Sequence, residues 1–335
     1  LVGVDHPNPK PVADRSHYDR GVASRLASEV RTAQRAPASS AVRIGAVLLG
    51  AVAMLCIIGG AWGLLPAGES GVARYEAQDL SAALLAPMQR DASGALHTLG
   101  TDRLGRDLLA RCCVGGCISL LVGLCAAAVS VGVGTLWGAA SAEAGGRTDG
   151  IMMRIVDVLY GLPTILLVVL IAVAADGALE RIGAKPGPVA RQVIDLAILV
   201  VAIGGLSWLT VARVIRGQVL SLKARPFMES CTAIGMGRSR RFWLHLVPNL
   251  SGPIVVYAAL AVPSAILSES FLSFLGLGVR EPLPSWGNLA AAGLPELNPV
   301  VSRWWLLAFP CLLIALTLLS LNLVGDWVRD RLAGR

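Results

Sequence analysis

Along this chain, long apolar runs without charge alternate with short stretches that carry the charges. Residues 44–68, 112–142, 158–175, 196–212, 242–268 and 304–325 contain no Asp, Glu, Lys or Arg. A helix needs roughly 17–25 apolar residues to cross the hydrocarbon core of a bilayer. The runs therefore predict six spanning helices, near 43–65, 117–141, 153–175, 194–214, 251–275 and 303–325. The run at 112–142 is longer than one span, so part of it should project beyond the bilayer core. The first run is no cleaved leader, because a secretory signal places its apolar segment close to the N-terminus. Residues 1–40 hold Pro7, Pro9, Pro11 and Pro37 among scattered arginines, with no apolar period. That composition predicts a disordered tail, followed by one six-helix membrane domain over 41–335.

Composition sharpens this picture. Charged residues make up 15% and hydrophobic ones 55% of the 335 residues, with mean hydropathy +0.66. Soluble domains carry about 25% charged residues, and six buried apolar helices would leave too little polar surface to dissolve the chain. An aromatic share of 5% is too low for the two girdles of an outer-membrane barrel. The fold class is all-α and polytopic. Its 37 glycines suit close helix packing in lipid.

Net charge changes the picture only by its placement. An even number of spans puts both termini on one side, and that side then holds 19 of the 29 basic residues. The positive-inside rule makes it the cytoplasm. The first outer loop, 66–111, is rich in arginine but also holds six acids. The charge is no argument for nucleic acid. Cys56, Cys125 and Cys311 lie in apolar runs, and Cys112, Cys113 and Cys117 cluster at the outer edge of the second helix. Small apolar packing and a disulfide both remain open for that cluster. No metal site is expected, because His6, His17, His97 and His245 are dispersed.

The most informative polar stretch is 217–249, GQVLSLKARPFMESCTAIGMGRSRRFWLHLVPN, on the cytoplasmic side. Pro226 can open a helix, since its missing N–H costs nothing in the first turn. Glu229 then suits the helix dipole, and Ala233 follows four residues later on the same face. Gly235 and Gly237 can stop the helix and reverse the chain. A second helical piece from Arg238 would end before Pro248. Small residues at Ser230, Cys231, Ala233 and Gly235, next to Met236, leave a low surface that another protein could cover.

That segment resembles the EAA loop of ABC-transporter permease subunits, the importers that work with a separate binding protein. The spacing from Glu229 through Gly235 to Pro248 follows the family pattern. Ser230 and Cys231 stand for the alanines of the triplet, Val247 for a leucine, and His245 at a normally apolar position. Three further stretches look like the C-subunit type of the dipeptide, oligopeptide and nickel branch: HTLGTDRLGRDLLAR at 97–111, ESFLSFLGLGVREPLPSWG at 269–287 and SLNLVGDWVRDR at 320–331. The resemblance covers roughly residues 41–335. It implies a six-helix type I importer permease in a bacterial inner membrane. A homologous second permease, one or two ATPase subunits and an extracytoplasmic binding protein would be its partners. The docking surface for the ATPase would be Glu229, Ser230, Cys231, Ala233, Gly235, Met236, Gly237, Arg238 and Pro248. ATP and Mg would be held by those ATPases, with no cofactor and no catalytic residue in this chain. The cargo it implies is di- or oligopeptide, with nickel or haem as the alternative.

The residues themselves add that no G-x-x-x-x-G-K-[ST] phosphate loop is present, so the energy source lies elsewhere. An ion-gradient carrier is the competing reading, although no internal repeat of the kind such folds show is visible. Glu269 is an ionisable group at membrane depth, a costly placement. It lines a pathway or gate together with Pro263 and Ser270, or it is a carboxylate satisfied by backbone, Ser268 and Ser270. Asp157 lies three residues from Arg154, and the two are expected to form an interfacial ion pair. Pro163 and Pro263 should kink their helices.

Overall fold

The computed structural model describes residues 38–67, 71–181, 183, 186–299 and 301–333. The chain divides into two units, 1–43 and 44–335. Of the first, only the helical residues 38–43 are described, so the expectation of a disordered tail lies outside the described residues for 1–37.

The helices are α1 (Ala38–Leu64), α2 (Leu108–Ala144), α3 (Gly146–Tyr160), α4 (Thr164–Arg181), α5 (Pro188–Lys223), α6 (Pro226–Ala233), α7 (Arg238–Arg241), α8 (Val247–Phe274), α9 (Trp286–Gly293) and α10 (Trp305–Ala333). A two-stranded hairpin, β1 (Gln89–Arg90) with β2 (Leu96–His97), lies between α1 and α2. Among the described residues, five helices are long and apolar enough to cross a membrane, and α3 with α4 makes a sixth if that bent pair is one span.

The spans run longer than the charge-free text suggests, and the ends show why. Asp107 caps α2 by accepting from the Ala110 N–H at 2.9 Å, so the helix starts nine residues before the predicted 117 and takes Arg111 inside it. Its 37 residues extend about 55 Å at 1.5 Å per residue, more than the bilayer core. Pro188 occupies the first turn of α5, and the helix continues past 214 because Arg213, Arg216 and Lys223 find carboxylate partners. The predicted loop at 176–193 is therefore mostly helix, although 182, 184 and 185 are outside the described residues. The expected single helix over 153–175 is instead broken. Gly161, Leu162 and Pro163 separate α3 from α4, which meet at 92°. Proline has no N–H to continue a ladder.

Glycines draw the central helices together. A Cβ at Gly134 would sit 2.6 Å from that of Val211, and one at Gly204 would sit 2.7 Å from the Ala126 carbonyl oxygen, so α2 and α5 meet at backbone distance. Where no polar side chain can drive association in lipid, such close packing does. Two apolar clusters flank this contact. One gathers Val122, Leu199, Ile203 and Leu272, and the other Val131, Ile215, Val219, Leu246 and Leu250. Elsewhere the helices turn large apolar side chains outward, such as Val47, Ile57 and Leu166. That is the pattern of a lipid-facing surface, because helices satisfy their own backbone groups in lipid. All seven cysteines are free.

Candidate functional site

The predicted helix and glycine break form, but the second helical piece does not end before Pro248: α7, a π-helical turn and α8 run on without interruption. Pro226 opens α6, which ends at Ala233, and Gly235 takes φ +73°, a left-handed conformation that glycine adopts without penalty. Met228 and Cys231 point inward and are buried, with Met228 packed among Leu222, Leu246 and Leu250. Glu229, Ser230, Ala233 and Gly235 face outward, and Ile234 beside them is 75% exposed. Met236 is half-buried and Gly237 exposed; of Arg238 the helical backbone is described and no more. α7 runs into a single π-helical turn over Phe242–Leu246, closed by the Val247 N–H on the Phe242 carbonyl. Pro248, next in line, offers no N–H for an α-helical bond. His245 lies within this wide turn, while Leu246 takes the fully buried position.

Three acids at the neighbouring helix ends tie α2 and α3 to α5 and α7. Glu143, near the end of α2, accepts from Arg241 and lies 3.5 Å from the Lys223 ammonium. Lys223 also donates to the Ala142 carbonyl at 2.9 Å. Asp149 of α3 takes a two-pronged pair from Arg216 at 2.6 Å each and accepts from Ser141 at 2.5 Å. Asp157 accepts from Arg213 at 2.9 Å. That last bond corrects the expected Arg154–Asp157 pair: Arg213 of α5 reaches Asp157 and also stacks on Tyr160, 4.1 Å from the ring centre. A cavity of about 330 Å3 opens here, lined by Lys223, Met228, Glu229, Ala233 and Arg241.

At the opposite end of the helices, the 97–111 and 269–287 stretches meet. Asp102 accepts from Arg106 and Arg111, both at 2.7 Å, and Glu281 bridges the same two arginines at 3.1 and 3.2 Å. Glu296 accepts from Arg303 at 2.7 Å and from Arg103. Burial opposes ionisation of Glu296, but Arg303 and Arg103 outweigh it and hold its carboxyl below the usual range. His97 Nδ1 lies 2.8 Å from Asp107, the α2 cap.

Glu269 is fully buried, and Ser270 and Pro263 are buried with it. Ser273 donates to its carboxylate at 2.7 Å and Ser270 at 3.3 Å, with Ser119 and Ser285 as further hydroxyl partners. Ser268, expected as a partner, bonds the Ser264 carbonyl instead. These hydroxyls in turn accept from backbone: Ser273 from Val279, Ser119 from Trp286, and Ser285 from Asn288 in a capping box that starts α9. The carboxylate thus ties α8, α2 and the α9 turn into one polar knot. Glu269, Pro263 and Ser270 are buried in this packing, and Glu269 has the hydroxyl partners of the satisfied-carboxylate alternative.

Sequence reasoning missed the anchors Glu143 and Asp149. The signal was present: they are the only acids between 108 and 156, and they stand next to Gly145 and Gly146 at a helix break.

A family model described as "binding-protein-dependent transport system inner membrane component" matches residues 131–335. The oligopeptide transport system permease protein OppC of Haemophilus influenzae is 43% identical over 70% of this chain and 70% of its own length. OppC of Salmonella typhimurium is 45% identical over 70% and 72%, and the dipeptide transport system permease protein DppC of Bacillus subtilis 41% identical over 70% and 68%.

Proposed function

The chain belongs to the family of binding-protein-dependent transport system inner membrane components, and from that premise we propose that it moves di- or oligopeptides inward as one half of an ATP-driven importer. A homologous second permease completes the pathway, ATPase subunits bind at α6, and an external binding protein delivers cargo. Membership in a family of transport subunits leaves little support for a gradient-driven carrier. The end bearing α6 faces the cytoplasm of a bacterial inner membrane, and both termini lie there.

The observation that carries this reading is the construction of α6. It is anchored from behind by Met228 and by the Glu143–Arg241 pair, and it presents Glu229, Ala233, Ile234 and Gly235 outward. A lever needs that combination, a stiff attachment and a free contact face. Closure of the ATPases would draw it inward and rock the helices between two rigid arrangements. The placement of basic residues supports the orientation, since 19 of the 29 Lys and Arg then lie on the side of α6.

The test is Glu229→Lys in the reconstituted complex. Peptide uptake should be lost while the complex still assembles. Normal uptake with intact ATPase contact would show that α6 is not the docking element.

A further inference from the structure

Two adjoining cavities open beside the α3–α4 break, of about 340 and about 540 Å3, and both are lined by Thr164 and Ser207. Apolar side chains such as Ile203, Leu267 and Phe271 make up much of the lining, its polar part comes chiefly from Thr164, Ser207, Thr210, Ser264 and Ser268 with Tyr160 and Tyr257, and among the described residues none that lines it is charged. Helical spacing gathers these hydroxyls: 207 and 210 lie on one face of α5, and Tyr257, Ser264 and Ser268 on one face of α8. Both stretches fall near the middle of apolar spans. Hydroxyls gathered there gain nothing from lipid, and polar groups at that depth face an aqueous cavity or a partner. A further observation points to an occupant. Ser130 lines the larger cavity, is 1% exposed, and its Oγ has no hydrogen-bond partner among the described residues. A buried hydroxyl left unpaired costs about 1–3 kcal/mol, which water or cargo in the cavity would relieve.

We propose that this neutral hydroxyl wall of α5, α8 and the α3–α4 break is the chain's share of the translocation path, and that it hands peptides along by their backbone amides. The inference rests on the transport reading above and assigns the surface that does the conducting. Ser207 and Ser268 already donate to the Ile203 and Ser264 carbonyls of their own helices, so they offer acceptors for peptide N–H groups, while a hydroxyl not so engaged can also donate to C=O. A wall without charge neither attracts nor repels a lysine or glutamate side chain, so cargo passes irrespective of its side chains.

The experiment uses the full complex in proteoliposomes with loaded binding protein. It follows uptake of neutral, lysine-containing and glutamate-containing tripeptides, alongside ATPase stimulation and co-purification. Ser264→Leu and Ser207→Leu should each reduce uptake of all three peptides tenfold or more. ATPase stimulation should stay within twofold, and Ser264→Thr should retain uptake. Unchanged uptake in the leucine variants, or loss of uptake together with loss of the second permease, overturns the proposal, the latter by making the wall a subunit contact. Should Ser264→Leu not assemble, Ser264→Cys is treated with a water-soluble maleimide after assembly. Block of transport beyond the wild-type control supports the wall, and no block overturns it. A wild-type complex that moves none of the peptides, yet whose ATPase responds to the binding protein, refutes the peptide reading rather than the wall.

Discussion

Replacing Glu143 by Gln removes the negative charge that Arg241 and Lys223 converge on, behind α6. The Glu143 side chain is 12% exposed and Arg241 13%, so their charge-assisted hydrogen bond is poorly screened and worth about 1.5–3 kcal/mol. Lys223 is 31% exposed and 3.5 Å away, and adds less than about 1 kcal/mol. Gln keeps an acceptor oxygen but no charge, so the loss is set at about 2 kcal/mol, or roughly 30-fold in the balance between seated and loosened α6. A lever on a loose pivot wastes its stroke. Peptides moved per ATP hydrolysed should therefore fall severalfold in proteoliposomes, while basal ATPase persists. Arg241→Ala should cost at least as much, because it leaves the Glu143 carboxylate partly buried with Lys223 as its nearest cation among the described residues. The exchange of Glu143→Arg with Arg241→Glu should recover part of the loss, giving a positive coupling in a double-mutant cycle. Full coupling in Glu143→Gln, or strict additivity in the cycle, would refute the pivot.

Other expectations follow from the same geometry. Gly134→Val places a Cβ 2.6 Å from that of Val211 and should destabilise the α2–α5 contact by about 1–3 kcal/mol, read as a lower unfolding temperature in detergent. An unchanged temperature would deny that contact its role. Glu269→Ala should sharply reduce the yield of folded protein, since three or more buried hydroxyls lose their acceptor, whereas Glu269→Gln should fold and transport. A folded Glu269→Gln that fails to transport would support a pathway role for the carboxylate. Because Glu296 titrates below its ordinary value in the folded chain, its contribution is present above an unfolded carboxylate pKa of 4.5 and is lost as pH falls through the lower folded value. The wild type should therefore lose stability in acid more steeply than Glu296→Gln, as followed by unfolding temperature against pH.

The span count and the helix–glycine–helix character of the 217–249 segment were legible in sequence, because hydrophobic runs and local breakers are local signals. Span ends were less so. Helices α2 and α5 run into charged text, since Arg111 is met by Asp102 and Glu281, and Arg213, Arg216 and Lys223 by acids far off in sequence. The pairing of Arg154 with Asp157 failed for the same reason: spacing along one helix cannot reveal a guanidinium arriving from another. Glu269 stood out as a membrane carboxylate, yet its role depended on which serines surround it, and two of them, Ser119 and Ser285, come from other elements. The hydroxyl wall was invisible because Ser207, Thr210, Ser264 and Ser268 become one surface only when α5 and α8 are set beside the α3–α4 break.

The most direct test puts a photoreactive side chain in place of Ile234, the exposed tip beside Gly235. The assembled importer is then illuminated with and without nucleotide. A covalent adduct with an ATPase subunit should form, and its yield should change with nucleotide. Adducts with lipid or with the partner permease alone, under both conditions, would contradict α6 as the docking element.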